Sequence, residues 1–257
     1  MRDSLHGLDR HFALPNVRRI ETDHVFRWLS LGWRDLRANP IPSLAYGLLF
    51  ALAGDIILLL AFPNPHLFTL AISGFFLVAP ILAGGLYEIS RCHERGQEVS
   101  FMRTLDGFKR NGESLAMFGL FLALAAIAWE RLSAILFALF FSGNVSDVEQ
   151  FVSEVFLSGE HTSFVMAWFA LGGTLALMVY AFSAVAVPML LDRKTDFVTA
   201  AMTSLRAFSS NLRVMTLWAA IIVTLTLIGF ATLLFGLIVI MPLIGHATWH
   251  AYRELVE

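Results

Sequence analysis

The stretch Val214–Gly245 runs for 32 residues without a charged side chain. A bilayer crossing needs about 20 apolar residues, so this run is too long for one comfortable span and short for two. It reads as a tight hairpin broken near Gly229, with the final helix continuing to about Glu254. Four more apolar stretches precede it. Pro42–Phe62 carries Asp55 as its one charge. The turn Pro63-Asn64-Pro65-His66 follows, then Leu67–Ile89. A third stretch starts at Ser114, meets Glu130 and Arg131, and continues apolar to Phe141. Thr162–Leu191 is the fourth. Hydrophobic residues make up 57% of the chain and charged residues 15%, which excludes a disordered chain, a coiled coil or an ordinary soluble enzyme. The expected fold is all-α: a polytopic membrane helix bundle of six transmembrane helices.

Charge distribution predicts the orientation. Seventeen of the eighteen Lys and Arg residues fall in the N-terminal segment, in the second-to-third and fourth-to-fifth connections, and at Arg253. Only Arg131 is left out, and the opposite loops, 63–66 and 142–161, carry none. Basic loops stay in the cytoplasm, so with six spans both termini are expected there, in a multi-pass protein of a bacterial inner membrane; with five spans Arg253 alone would lie outside, and a threefold repeat favours six. Seven Arg and no apolar h-region in the first forty residues predict an N-terminus that is not cleaved.

One unit is expected to occur three times. Each copy opens with a short basic amphipathic segment that ends at Asn: Trp33 to Asn39, Leu105 to Asn111 and Leu205 to Asn211. A helical hairpin follows. Its second helix carries Pro80-Ile81-Leu82, Pro188-Met189-Leu190 or Pro242-Leu243-Ile244. A proline inside a helix removes one backbone donor and crowds the carbonyl four residues back, so a kink is expected near each. The boundaries are about 23–95, 100–196 and 197–254, after a cytoplasmic segment 1–22, within one transmembrane domain over 23–254.

The amphipathic segments place Val25, Phe26, Leu29, Trp33 and Leu36 on one helical stripe. Phe101, Leu105 and Phe108 form a second, and Phe197, Ala201, Leu205 and Phe208 a third. Such helices lie in the headgroup plane. They anchor the bundle or recognise anionic lipid or a partner. The middle unit also has an extracytoplasmic insertion over about 132–161. There Ser146-Asp147-Val148-Glu149 is a capping box, and Val148, Phe151, Val152, Val155 and Phe156 line one face of an acidic helix.

Several blocks resemble an uncharacterised bacterial integral membrane protein family, domain of unknown function 2189. They are Trp33-Arg34-Asp35-Leu36-Arg37, Ser43 to Gly47, Pro80 to Glu88, and most specifically Gly245-His246-Ala247-Thr248-Trp249-His250-Ala251-Tyr252-Arg253. The family has no agreed activity or site residues, so the resemblance implies architecture alone. Some of its members are described as similar to a cytochrome oxidase subunit. A membrane haem needs histidines projecting from spans into the bundle. Here His66 falls in an outer turn, and His246 and His250 fall near the inner surface.

Two sets of residues are candidates for chemistry. His246 and His250 are four apart and share a helix face. Glu88, Asp196 and His250 each follow a repeat proline by eight residues, and Gly84, Asp192 and His246 by four. Packing of three units about one axis would bring such residues together. His246, His250 and Glu88 are therefore the candidate metal ligands, with ordinary helix capping as the other reading, Thr195 or Asp196 being the expected N-cap of the third amphipathic segment. Asp55 and Arg131 are the intramembrane charges, which mark functional sites or structural pairs. Similar depths predict that they pair, with a local Glu130–Arg131 pair as the alternative.

Cys92 is the single cysteine, which excludes an internal disulfide and Cys-based metal centres. Net charge −2 gives no pull towards nucleic acid. With no nucleophile elbow, phosphate loop or appended soluble domain, the expected role is non-enzymatic and cofactor-free: an accessory, assembly or scaffolding component of a membrane complex, respiratory complexes included. Expected partners are membrane lipid and other membrane protein subunits. The alternatives are a small-molecule or ion transporter and a metal-binding membrane protein.

Overall fold

The computed structural model describes residues 14–61, 82–140 and 158–257. The turn at 63–66, Pro80, most of the second apolar stretch and the acidic stripe at 148–156 lie outside the described residues. The chain is helical: α1 (His24–Ala38), α2 (Pro40–Ala61), α3 (82–94), α4 (Phe101–Thr104), α5 (Asp106–Arg110), α6 (Gly112–Phe140), α7 (Thr162–Ser183), α8 (Ala186–Asp192), α9 (Phe197–Ser210), α10 (Leu212–Ala231) and α11 (Leu237–Leu255).

Four candidate spans are found among the described residues, where six were expected: Pro40–Leu59, Gly112–Phe140, Thr162–Asp192 and Leu212–Ala231. The hairpin in the last apolar stretch is present. Its turn falls at 232–236, where Leu233 and Leu234 adopt positive φ of 52° and 66°. The Thr232 hydroxyl steadies the turn, donating to Gly229 O at 2.8 Å and accepting from Gly236 N at 2.8 Å. The returning helix α11 is nevertheless not apolar enough to count as a span. Only residues 237–245 are free of polar side chains, a rise of about 14 Å against a hydrocarbon layer of about 30 Å. Its second half carries His246, Thr248, His250, Arg253 and Glu254 and is packed inside the protein.

Each amphipathic helix meets its span at an asparagine with nearly the same backbone. Asn39 has φ −131° and ψ 60°, Asn111 −144° and 47°, and Asn211 −128° and 42°. These angles are non-helical, so the chain turns there before the next helix begins. Two of the asparagines also hold distant chain. The Asn111 side chain donates to Leu190 O at 3.3 Å and Thr195 O at 2.7 Å. Asn211 Oδ1 accepts from Ile20 N at 2.9 Å, and its Nδ2 donates to Arg18 O at 2.9 Å.

The stripe expected on α1 is rotated. Val25, Trp28, Gly32, Asp35 and Leu36 face the bundle, while Phe26 and Trp33 stay exposed. The reason is α11, which presses so close that a Cβ on Gly32 would lie 2.7 Å from Ala247 N. The indole of Trp28 donates to Glu254 Oε2 at 2.6 Å, tying the two helices at their far ends. Residues 17–18 and 255–256 close the same contact, with Val17 and Val256 in an antiparallel bridge and Arg18 N donating to Leu255 O at 2.9 Å.

Proline explains two further features. Pro188 crowds the carbonyl of Ala184, and the helix breaks there, between α7 and α8. Ser204 of α9 repairs the gap, accepting from Val185 N at 3.1 Å and donating to Ala181 O at 2.8 Å. Neighbouring hydroxyls restore broken backbone in apolar surroundings in this way. Pro242 sits inside α11 and cannot donate to Ile238 O. That carbonyl lies against Gly47 of α2, where a Cβ would be 2.0 Å away. Gly47 is thus the position where the α2 backbone covers a carbonyl left without its helical donor.

Gly47→Val should therefore lower stability by about 3 kcal/mol or more, because the clash is with backbone and no rotamer relieves it. Gly173→Ala, in a helix interior where a Cβ meets nothing within 4 Å, should not lower stability and can raise it by up to about 1 kcal/mol. Thermal unfolding in one detergent, followed for both variants, checks the contrast.

Candidate functional site

The buried polar side chains gather at the end of the bundle that carries the three asparagine junctions. Asp35, Glu88 and His246 are each no more than 2% exposed. They come from α1, α3 and α11, so their burial follows from the packing of these helices against one another.

One set of groups forms a continuous hydrogen-bonded chain. Ser43 Oγ lies 2.9 Å from His246 Nε2, and His246 Nδ1 lies 2.8 Å from Ser90 Oγ. Ser90 donates to Asp35 Oδ2 at 2.7 Å, and His250 Nε2 lies 2.8 Å from the same oxygen. His93 Nε2 stands 3.9 Å from Asp35 Oδ1. The proton positions follow from chemistry. Ionised Asp35 only accepts, so Ser90 spends its proton there and accepts from His246 Nδ1–H. Burial pushes the Asp35 carboxyl up, but the hydrogen bonds from His250 and Ser90 and the neighbouring imidazoles together outweigh it and hold the pKa below its ordinary value.

A second set is ionic. Arg110 donates to both oxygens of Glu88 and also to Leu191 O at 3.3 Å and 3.2 Å. Arg91 bridges, with Nη1 3.2 Å from Glu88 and Nε 3.0 Å from Asp192. Asp192 also receives Arg95 at 3.1 Å and the Tyr252 hydroxyl at 3.0 Å, with Arg253 at 3.6 Å. Three helices meet here, because α3, α8 and α11 supply Arg91, Asp192 and Tyr252. Cys92 is buried beside Glu88; burial and that carboxylate push its thiol up, away from a reactive thiolate.

The candidate ligands are thus placed as follows. His246 and His250 share one cluster around Asp35 and Ser90, and Glu88 lies in the arginine cluster. Among the described residues no three His, Cys, Asp or Glu side chains form a group that could hold a metal ion. His246 and His250 lie against Ser43, Ser90 and Asp35, whereas Glu88 faces Arg91 and Arg110. Asp196 is an N-cap, accepting from Thr199 N at 2.9 Å. Arg131 Nε pairs with Glu130 at 3.1 Å, not with Asp55. Asp55 lies exposed on α2, with no ion pair among the described residues. Two open recesses lie near this end of the bundle: one of about 290 Å³ is lined by Tyr46, Leu82, Phe101 and Phe108, and the other by Thr22 and Arg213.

Sequence reasoning missed Asp35, Ser43, Ser90 and Tyr252. Asp35 lay in a basic amphipathic segment where a lone acid reads as solvated. Its spacing from Val25, Trp28 and Gly32, in steps of three and four, was the available signal.

With this geometry in view, the family model described as predicted integral membrane protein, DUF2189, matches residues 67–192. It is the family that the sequence blocks resemble. The chain is an integral membrane protein with several apolar helices. The matched segment holds α3 to α8, hence Glu88, Arg91, Arg110 and Asp192, and ends before the His246–His250 block. No curated protein and no solved structure matches the chain.

Two tests address the collar. Glu88→Gln leaves buried guanidinium charge without its carboxylate and should cost about 3–5 kcal/mol; Glu98→Gln, on an exposed site, should cost nothing measurable. Thermal midpoints in detergent compare the two. Asp35 has its pKa lowered by folding, so its contribution is present above the unfolded value and lost as pH falls through the folded one. Asp35→Asn should be less stable at neutral pH and show a flatter loss of stability on acidification below about pH 4. An acid limb as steep as that of the parent protein would contradict this role.

Proposed function

We propose that the protein is a non-enzymatic component of a bacterial inner-membrane assembly, built from three hairpin repeats with its basic end and both termini in the cytoplasm, and that it works by docking other membrane proteins. The repeat reading is supported by a cyclic pattern. Asn111 of the second unit holds the chain that leads into the amphipathic helix of the third. Asn211 of the third holds the chain that leads into the amphipathic helix of the first. Each second helix also touches the next amphipathic helix: Glu88 with Arg110, Ala181 with Ser204, and Ala247 with Gly32.

The observation that carries the docking reading is the length of the middle hairpin. α6 has 29 residues and α7 with α8 spans 31, whereas α10 turns back after 20. At 1.5 Å per residue α6 is about 43 Å long, against about 30 Å of hydrocarbon. Tilt alone would have to reach about 45°, beyond the range that spanning helices adopt. The depth marks agree. Trp129 and Trp168 pack at 5.0 Å, beside the Glu130–Arg131 pair, about 26–28 Å from the start of α6. Indoles and charges of this kind sit at the membrane–water boundary.

Beyond that level α6 still carries Ile135, Leu139 and Phe140, all exposed, and α7 carries exposed Met166. Apolar surface held clear of the bilayer is a protein-docking surface. The polar groups of the collar, by contrast, are satisfied by one another and leave little to bind with.

The tagged protein, extracted in mild detergent, should bring down one membrane complex at near-stoichiometric yield. Leu139→Lys and Met166→Lys should each release it at least fivefold, and Met102→Lys, an exposed site at the basic end, should not. Isolation of the protein alone, or co-purification indifferent to the arm variants, would overturn the reading.

A further inference from the structure

Within the bilayer, α6 is the least covered of the four candidate spans: 11% of its best apolar window is buried, against 44% for Thr162–Asp192. Its free face has an ordered pattern. Met117, Leu120, Leu124 and Ile127 are all about half exposed, and Arg131 follows them. The steps of three, four, three and four residues put these side chains in one seam, the spacing by which two helices interlock at a shallow angle. Phe118 and Leu122, on the opposite side, are the residues that α6 buries in its own bundle.

The end of the seam indicates what covers it. Glu130 and Arg131 pair at 3.1 Å, although consecutive helical residues point about 100° apart. The guanidinium stays 75% exposed, so this contact leaves most of its donors unused. Copies of one chain insert into the membrane in the same direction, and only residues at equal depth meet. Glu130 and Arg131 differ in depth by about 1.5 Å and are opposite in charge. A twofold axis along the membrane normal would set Glu130 against the partner's Arg131, and Arg131 against the partner's Glu130. This surface is complementary to itself, the condition for an isologous contact.

We infer that the Met117–Arg131 face of α6 is the contact of a parallel homodimer, closed by two reciprocal Glu130–Arg131 pairs at the outer edge of the membrane. The inference is separate from the docking reading, which uses the arm beyond this level; either can fail alone. In lipid, helix pairing rests on packing and polar contacts and not on the hydrophobic effect. Reversing one charge should therefore act strongly.

Cysteine cross-linking in native membranes tests it. The natural Cys92 is buried at the basic end and provides a silent background. Leu124→Cys and Ile127→Cys lie on the seam and should give a dimer band on mild oxidation; Val223→Cys, exposed on α10, should not. In the Ile127→Cys background, Glu130→Arg or Arg131→Glu should reduce the dimer at least fivefold, and the double exchange should restore it. Thermal midpoints of each variant report folding independently. Three results would overturn the dimer: no band above that of Val223→Cys, a band to a different protein in place of a dimer, or charge reversals without effect, which would assign Arg131 to lipid phosphate.

Discussion

A buried carboxylate has to be matched where it lies, because taking an ion out of water costs several kcal/mol that only close counter-charges and donors return. Asp35, Glu88 and Asp192 impose that condition on this bundle. None is matched by its own helix alone. Asp35 on α1 takes donors from α3 and α11; Glu88 on α3 takes Arg110 of α5; Asp192 on α8 takes Arg91 of α3, Arg95 just after it and Tyr252 of α11. Withdrawing any one of these helices breaks at least one of these contacts. Apolar spans slide against one another and against lipid at little cost, so the collar sets the register from which the spans rise.

Backbone geometry acts in the same direction. Proline frees carbonyls at Ala184 and Ile238, and each break is placed where another helix can attend to it. At the first, a hydroxyl of α9 spans the gap. At the second, Gly47 brings the α2 backbone against the carbonyl, a contact that any side chain would prevent. Pro188 and Pro242 thus mark contact points between helices.

The helical class, the amphipathic helices ending at asparagine, the hairpin after Gly229 and the N-cap at Asp196 were legible because they depend on local patterns. The polar collar was not. His246 and His250 were visible as a spaced pair, but spacing gives a shared face and not a partner. Only the packing of α11 on α1 brings Asp35 within 2.8 Å of His250. The same packing shifts the buried stripe of α1 to Trp28 and Asp35, a choice between two overlapping faces that depends on what lies opposite. Asp55 and Arg131 had similar computed depths, but depth does not fix azimuth, and Arg131 turned to the adjacent Glu130. Of the six expected spans, α11 is not among the four candidates in the described residues, because the uncharged run includes the α10 turn and leaves α11 only nine nonpolar residues before its polar half.

The depth scale that follows from the collar makes the middle unit different from its neighbours. Measured from their asparagines, α10 ends at its turn and α6 reaches its charge pair at nearly equal heights, about 28–30 Å. α10 then reverses, using two residues in left-handed backbone to do so within five positions. α6 continues, and its extra turns are fastened to α7 by the Trp168–Ser133 hydrogen bond at 2.8 Å and the Phe137–Phe164 contact at 6.0 Å. A pair of helices braced in this way is a rigid extension, whose outward side chains are Ile135 and Leu139. Anchoring requires no such extension, since α10 shows that a 20-residue helix and a short turn suffice. Under the docking proposal the additional length carries the apolar side chains of α6 past the level at which α10 turns back, which is the physical ground for proposing recognition there and not in the collar.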